Sequence, residues 1–427
     1  MTVAILFGTF FLLMIIGVPI ALSLGLSSLL TMVFATDSSP NVIIQKAFSS
    51  LDSFPLMAIP FFILAGVLMS SGGISRRLLN LASVLIGFIT GGLAMVTVLA
   101  SMFFAAISGS GPATVAAIGS FMIPSMKERN YGSGFAAAIT ASAGSVGVLI
   151  PPSIPFVMYG VVGTVSIGSM FLAGIIPGII LGLCLMIISY IISKKNNYVG
   201  TGKVPSIKDV LKALNEAKLA LLIPVIILGG IYAGIFSPTE SAAVAAIYAL
   251  IIGVFVYKEL GWKDVYKSFA EAALTNAATV IIIGFSISFA YLMTRERIPS
   301  IVADFIVGIT ESPILIILII NLFLLIVGMF IDTISAIVIL TPILLPVVTN
   351  IGMDPVHFGV ILVMNLAIGF VTPPLGVNLF VATNVGKVSF EAIVRAIVPI
   401  LISMIISLLI VTYFPPLSTW IPNQLTP

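Results

Sequence analysis

Long apolar runs, separated by short polar turns, follow one another along almost the whole chain. The runs cover residues 4–34, 56–70, 79–107, 133–162, 170–193, 218–257, 275–294, 313–331, 356–384 and 391–413. Most of them reach the length of about 20 residues that a helix needs to cross the hydrocarbon core of a bilayer. The pattern therefore predicts an all-α polytopic membrane protein, with lipid as the solvent for most of its surface.

The composition agrees with this prediction. Of the 427 residues, 60% are hydrophobic and only 8% are charged, whereas soluble domains carry about 25% charged residues. The apolar N-terminus lacks a basic n-region and a small-residue cleavage site, so it is interpreted as a retained membrane helix and not as a signal peptide. Cys184, the single cysteine, cannot form an intrachain disulfide.

A polar segment with six lysines, "KKNNYVGTGKVPSIKDVLKALNEAK" (194–218), interrupts the apolar pattern near the middle of the chain. Short lysine-rich loops next to membrane helices belong on the cytoplasmic side. We therefore expect residues 194–217 to be a cytoplasmic linker between two halves.

The second half repeats the proline pattern of the first half. Pro151 and Pro152 recur as Pro373 and Pro374, at an offset of 222 residues (373 − 151). The same offset relates Pro124 to Pro346, Pro177 to Pro399, and Gly147 to Gly369. The pattern predicts two repeats, 1–193 and 218–427. We favour inverted repeats, although parallel ones remain open because the number of crossings in 4–34 and 218–257 is ambiguous.

Each proline pair lies inside a predicted membrane helix, 133–162 or 356–384, and glycines flank it. Proline breaks a helix, and irregular backbone at membrane depth persists only inside protein or beside a water-filled cavity. The freed carbonyls and half-helix ends suit an ion or an anionic substrate. A simple proline kink is the alternative, but the repetition at a fixed offset favours a binding site.

A polar motif precedes each broken helix: "ISGSGPATVAAIG" (107–119) and "GMFIDTISAIVIL" (328–340). Each motif leads into an apolar run of only ten to twelve residues that ends near a proline, too short to span a bilayer. We therefore expect re-entrant helical hairpins at 106–126 and 328–348, with tips at 108–114 and 332–335.

Two acidic residues lie in apolar surroundings. A carboxylate inside a membrane costs several kcal/mol and needs a partner or a role, so Asp332 is predicted to be a cation ligand, with a structural hydrogen bond as the alternative. Glu240 follows Ser237 by three residues at a predicted helix start, where a capping box is the favoured interpretation.

Two amphipathic segments, 41–55 and 261–277, resemble each other. They are predicted to be interfacial arm helices; ordinary loop helices are the alternative.

Four motifs in order resemble the large membrane subunit of tripartite ATP-independent periplasmic (TRAP) transporters. They are "SGSGPATVAAIG" (108–119), "IPPSIPFVMYG" (150–160), "GGIYAGIFSPTESAAVAA" (229–246) and "TPPLGVNLFVA" (372–382). The resemblance covers essentially the whole chain. It implies sodium-coupled uptake of an organic acid across the bacterial inner membrane by an elevator mechanism, in which a transport domain slides against a scaffold. It also implies two protein partners: a small four-helix membrane subunit and a periplasmic substrate-binding protein.

The resemblance also implies site residues. Sodium ions would bind where each hairpin tip meets its own broken helix, at Ser108, Gly109, Ser110, Thr114, Gly144, Gly147, Asp332, Thr333, Ser335, Gly369, Thr372 and Gly376. The substrate would lie between the two sites, near Ser110, Ser153 and Asn378. Family substrates include sialic acid and C4-dicarboxylates, and overall likeness slightly favours the sialic acid type. Because only the second tip has an acid, the two ion sites should differ.

Other classes fit less well. No G-x-x-x-x-G-K-[ST] loop supports a primary pump, and nothing suggests nucleic-acid binding. An intramembrane serine protease would need to pair a serine of the first tip with His357, which we expect to be solvated at a helix entry, so no enzyme is predicted. Channels are usually symmetric oligomers and do not need an internal duplication. A stand-alone ion-coupled carrier or antiporter of related architecture remains the alternative.

Overall fold

The fold of the chain is helical. The computed structural model describes residues 2–36, 39–200, 202, 204–310 and 312–425, and these ranges contain helices and turns but no strand. Eight helices in them are long and apolar enough to cross a bilayer. This confirms the predicted all-α polytopic membrane protein. Parts of the predicted repeats and linker lie outside the described residues, namely 1, 37, 38, 201, 203, 311, 426 and 427.

The helices of the two halves follow the same order. The first half contains α1 (Thr2–Ile15), α2 (Ile20–Ala35), α3 (Asn41–Leu51), α4 (Ala58–Ser71), α5 (Ile74–Ile86), α6 (Gly92–Ser108), α7 (Gly111–Glu128), α8 (Ser133–Ser145), α9 (Ile154–Val162) and α10 (Ile167–Lys195). The second half contains α11 (Ile207–Tyr232), α12 (Pro238–Ile251), α13 (Trp262–Arg295), α14 (Ile298–Ile309), α15 (Pro313–Phe330), α16 (Thr333–Asn350), α17 (Pro355–Gly369), α18 (Val377–Gly386), α19 (Phe390–Tyr413) and α20 (Pro416–Leu425). Short 3-10 helices occupy Phe54–Met57 and Val146–Val148, and a π-helical segment, Ile252–Val256, extends α12.

Each half contains one helical hairpin and one discontinuous helix, as predicted. The hairpins are α6–α7 and α15–α16. The discontinuous helices are α8–α9 and α17–α18, and in both the proline pair lies in the non-helical segment between the two parts. The Pro151-Pro152 and Pro373-Pro374 peptide bonds are both cis.

The predicted bounds of the hairpins were wrong. Each arm is 17 or 18 residues long, so the hairpins cover 92–128 and 313–350 and not only 106–126 and 328–348. The apolar runs do not end at the prolines, because Pro124 lies inside α7 and Pro346 inside α16. Neighbouring helices in a membrane protein allow a helix to continue through a proline.

The two predicted arm helices also differ from each other. In the first half, α3 ends at Leu51, and the 3-10 turn that contains Pro55 separates it from α4. In the second half, the predicted arm 261–277 and the apolar run 275–294 form one continuous helix of 34 residues, α13. No proline occurs between residues 262 and 295 to interrupt it. The interfacial position of the arms stays a prediction.

The two hairpins enter the molecule from opposite ends of α19. At the start of α19, Ala392 lies against Gly134, beside the base of the first hairpin. At its end, the hydroxyl of Tyr413 donates to the carbonyl of Ile314, at the base of the second hairpin, over 3.1 Å. A helix of 24 residues is about 36 Å long, which exceeds the hydrocarbon core of a bilayer. The hairpins therefore have the opposite orientations that inverted repeats require.

The helices pack as two groups. In one group, α4 packs against α12 and α13, and α13 also packs against α2 and α3. The other group contains both hairpins, both discontinuous helices, α10 and α19. Within it, α9 of the first half packs against α16 of the second, and α18 of the second packs against α7 of the first. The two repeats thus share one core.

Two local predictions had different outcomes. The capping box at the start of α12 is present, because Ser237 Oγ accepts from the Glu240 N–H, and the Glu240 carboxylate accepts from the Ser237 N–H. The prediction for His357 was wrong, since its side chain is only 1% exposed. Its ring nitrogens contact Ser418 Oγ and the Thr412 carbonyl, because α20 folds over this end of α17.

Candidate functional site

The tip of the first hairpin rests on the break of its own discontinuous helix. Gly109 has φ +59°, a left-handed conformation that glycine adopts without strain and that lets the chain reverse between α6 and α7. A Cβ atom at this position would lie 2.8 Å from the carbonyl oxygen of Pro152. The tip and the proline pair are therefore in direct backbone contact.

Hydroxyl and carbonyl oxygens converge at this contact. Ser108 Oγ lies 3.0 Å from Thr114 Oγ1, and Thr114 Oγ1 donates to the Ser110 carbonyl over 2.7 Å. A Cβ atom on Gly147 would lie 2.7 Å from Thr114 Oγ1 and 2.9 Å from the Ser110 oxygen. The structure thus brings together four of the predicted sodium-site residues. Oxygen atoms, including backbone carbonyls, are the ligands that hard cations bind.

Gly144 and Asn378 link this site to the second repeat. A Cβ atom on Gly144 would lie 2.2 Å from the Val115 side chain and 3.3 Å from Asn378 Nδ2. Asn378, in α18, donates from Nδ2 to the Ala141 carbonyl over 3.1 Å and to Ser145 Oγ over 3.3 Å. Asn378 of the second discontinuous helix therefore forms hydrogen bonds with α8 of the first one.

The tip of the second hairpin contains a capped helix start. Asp332 Oδ1 accepts from the N–H groups of Ile334 and Ser335 over 3.0 and 3.1 Å, and Ser335 Oγ donates to Oδ2. Asp332 therefore caps its own helix, α16. The buried Thr333 Oγ1 has no hydrogen-bond partner among the described residues. At the equivalent position of the first tip, Ser110 precedes α7 without a side-chain cap, so the tips differ in charge and in capping.

The second break is packed as closely as the first. A Cβ atom on Gly369 would lie 2.4 Å from the backbone of Gly328 in α15. Thr372 lies in the break, and its Oγ1 donates to the carbonyl of Ile368, in the last turn of α17, over 2.8 Å. Gly376 has φ +56° and directly precedes α18. These contacts place the second break against the first arm of its hairpin.

A cavity of about 590 Å³ lies between the two helix groups and reaches both hairpin tips. Ser108 and Ser110 of the first tip and Ile334 of the second tip line it, and Ile154 lies on it at the start of α9. Its remaining polar lining residues are Ser70, Ser71, Ser75, Ser120, Thr275, Thr279 and Glu271. An organic molecule that entered this cavity could approach both predicted ion sites.

Only one of the three predicted substrate residues lies on this cavity. Ser110 lines it, whereas Ser153 and Asn378 do not and are fully buried. Ser153 Oγ donates to the Val148 carbonyl over 2.6 Å and accepts from the Phe156 N–H, so it caps α9. Substrate contacts at Ser153 and Asn378 stay predictions, and in this structure both side chains have structural roles.

Sequence reasoning missed the hydroxyl-lined wall that faces the tips. Glu271, Thr275 and Thr279 follow one another at intervals of four residues on α13, so they share one helix face. This polar stripe on a mostly apolar helix could have been recognised in the sequence as part of a site. Ser75 gave no such signal, but its Oγ is buried at the cavity without a hydrogen-bond partner in the described part of the chain.

Comparisons with known proteins point to the same family. Residues 7–417 match the family described as "Tripartite ATP-independent periplasmic transporter, DctM component". The chain is 53% identical over 411 residues to the isethionate TRAP transporter permease protein DctMQ of Oleidesulfovibrio alaskensis. This alignment covers 96% of the chain and 65% of that relative, so the chain is shorter than that protein by about a third.

Two relatives from Vibrio cholerae match over nearly their whole length. The C4-dicarboxylate TRAP transporter large permease protein DctM is 41% identical, with 100% of the chain and 98% of the relative covered. The sialic acid TRAP transporter large permease protein SiaM is 40% identical, with 95% of each covered. Among solved structures, the Alcanivorax borkumensis YdaH transporter is similar with a TM-score of 0.64 and 13% identity, covering 90% of this chain and 89% of that one. That similarity concerns the fold alone.

Proposed function

Because the chain belongs to the DctM family of tripartite ATP-independent periplasmic transporters, we propose that it couples an inward Na+ gradient to the uptake of an organic acid. It is a permease subunit and not an enzyme, and it is a multi-pass protein of the inner membrane. In the proposed cycle, the group with both hairpins slides as an elevator against the group with α4, α12 and α13.

The cavity that reaches both hairpin tips is the observation that carries this proposal. Its described lining contains no lysine or arginine, so a bound anion needs another source of positive charge. The N-terminus of α7 has no side-chain cap at Ser110, and free N–H groups at a helix start favour anions. Sodium ions at the tips would supply the rest, and each ligand would strengthen the binding of the other.

The elevator motion is supported by the way the two groups are joined. The cavity lies between the groups beside the tips, and the direct contacts there include Gly66 of α4 against Ser108 and the packing of α13 against α16. Along the chain, α5 and α14 each connect a helix of the first group to a hairpin. A sliding motion would then carry the tips and the substrate together. The hairpins, which start from opposite ends of α19, would alternate in closing the site.

The family membership supports two protein partners and a substrate class. The partners are a small four-helix membrane subunit and a periplasmic binding protein that delivers the substrate. The relatives' names give isethionate, C4-dicarboxylates and sialic acid. The isethionate relative has the highest identity of these three, so we propose a small organic anion and place isethionate first among the candidates.

The elevator proposal predicts that a covalent bridge between the two groups stops uptake. In a Cys184→Ser background, Ser70→Cys on α4 and Ala117→Cys on α7 place one thiol of the cavity lining in each helix group. The chain is reconstituted with the small subunit and the binding protein, and uptake of labelled isethionate, a C4-dicarboxylate and sialic acid is measured. A reducible bis-thiol reagent should abolish uptake of the transported compound, and reduction should restore it.

The matched control is Ala113→Cys with Ala117→Cys, because both thiols then lie on α7 and in the same cavity. The reagent then lies in the same cavity but joins no moving parts, so uptake should fall less than in the bridged α4–α7 pair. Full uptake by the bridged α4–α7 pair would refute the elevator.

A further inference from the structure

Glu271 stands on the cavity wall at some distance from the hairpin tips. It shares one face of α13 with Thr275 and Thr279, and all three line the cavity. Eight residues of helix separate Glu271 from Thr279, which corresponds to about 12 Å along the helix axis. Thr279 is buried, whereas Thr275 and Glu271 are exposed. The stripe therefore runs from the protein interior towards an open end of the cavity.

This open end lies on the same side as the lysine-rich linker. Near the start of α13, Glu259 pairs with Arg77 over 2.7 Å. The hydroxyl of Tyr257 donates to the carbonyl of Glu216, on the lysine-rich part of α11. By the positive-inside rule this is the cytoplasmic face. A molecule that leaves the tips for the cytoplasm through this cavity passes Glu271.

Glu271 is the only charged residue among the described residues that line the cavity. The described ion pairs both involve Glu259, with Arg76 and Arg77, and none involves Glu271. Lys267 lies one helical turn away without forming an ion pair with it. The exit path of an anion therefore passes a negative charge that forms no ion pair with any described residue.

We propose that Glu271 is a specificity-determining residue for substrate release: its charge lowers the affinity of the cytoplasm-facing cavity for the organic anion. The inference rests on the proposed transport function. A like charge in a cavity with low-dielectric walls raises the free energy of a bound anion. Accumulated substrate in the cytoplasm would then rebind weakly, and net uptake would continue at higher internal concentrations.

The repulsion should scale with the charge of the substrate. Doubling the charge doubles the electrostatic free energy, so the fold-change for a dianion should be the square of that for a monoanion. For a monoanion we expect roughly a threefold to tenfold effect at low ionic strength, and less as salt screens the interaction.

The test measures inhibition by internal substrate. Proteoliposomes that contain the chain and the small subunit are preloaded with graded isethionate in one series and graded succinate in another, and initial uptake of the transported compound is recorded with binding protein and Na+ outside. Glu271→Gln should lower the internal concentration that halves uptake by about threefold to tenfold for isethionate, and by the square of that factor for succinate. Glu271→Lys should lower it further, and high ionic strength should shrink both effects.

Glu391→Gln is the matched control. Glu391 is exposed in the first turn of α19, whose start lies beside the base of the first hairpin, and it does not line the cavity. Its substitution should leave the half-inhibiting concentration unchanged. If the wild type transports substrate and Glu271→Gln behaves like Glu391→Gln, the inference is overturned while the proposed function stands. If the wild type transports none of the candidates, the proposed function fails, and the inference fails with it.

Discussion

At the scale of single residues, the two hairpin tips show how one repeated position can take two roles. Ser110 and Asp332 are related by the offset of 222 residues, and each directly precedes the second arm of its hairpin. Ser110 contributes a carbonyl oxygen to a neutral oxygen cluster, whereas Asp332 caps its helix and carries a charge. The Asp332 carboxylate accepts two N–H bonds and one O–H bond, and a carboxylate has about four lone-pair sites, so it can still bind a cation.

Asp332→Asn separates the cap from the charge. The amide oxygen of asparagine can still accept from Ile334 and Ser335, and asparagine is as good an N-cap as aspartate. We expect near-wild-type thermal stability and a rise of at least about tenfold in the Na+ concentration that half-saturates uptake. Asp332→Ala should in addition lose about 1 kcal/mol of stability through the lost cap. An unchanged Na+ dependence in Asp332→Asn would remove Asp332 from the ion site.

Residue-level prediction from sequence succeeded where the interaction was local. The Ser237–Glu240 capping box was predictable because both partners lie three residues apart. Asp332 and Ser335 have the same spacing, so that cap could have been inferred as well. The burial of His357 could not, because its partner Ser418 lies 61 residues further along the chain.

At the scale of elements, the breaks were predictable and the helix lengths were not. A Pro-Pro pair flanked by glycines interrupts a helix whatever surrounds it, so both discontinuous helices followed from local sequence. A single proline such as Pro124 or Pro346 depends on its neighbours, and here the packed helices continue through it. The continuous α13 was also missed, because its first part is polar and its second part is apolar. The change in polarity was interpreted as a boundary between an interfacial helix and a membrane helix.

Gly369→Ala tests whether the close approach of α15 and α17 is needed for transport. The added methyl group would lie 2.4 Å from the Gly328 backbone, so the helices must separate, at a typical cost of about 1–3 kcal/mol. We expect loss of uptake and a lower melting temperature, measured on the same reconstituted preparation. Gly229→Ala is the control, because nothing lies within 4 Å of the new Cβ atom; it should retain uptake and gain up to about 1 kcal/mol of helix stability. Equal behaviour of the two variants would contradict the packing argument.

At the scale of the whole molecule, the duplication explains the architecture. Two hairpins that start from opposite ends of α19 bring their tips to a common cavity, and each repeat packs a half-helix against the hairpin of the other. The proline register revealed the duplication in the sequence. The cross-packing of α9 on α16 and of α18 on α7 could not be predicted, because contacts between repeats leave no mark on the spacing within either one.

Sodium-coupled uptake is the central claim, and a four-condition uptake experiment tests it most directly. The chain and its small subunit are reconstituted into proteoliposomes, with and without the binding protein outside, and with an inward Na+ gradient or equal Na+ on both sides. Uptake of the organic acid should exceed background only when the gradient and the binding protein are both present. Equal uptake without the gradient, or without the binding protein, would contradict the account and favour a stand-alone carrier or a channel.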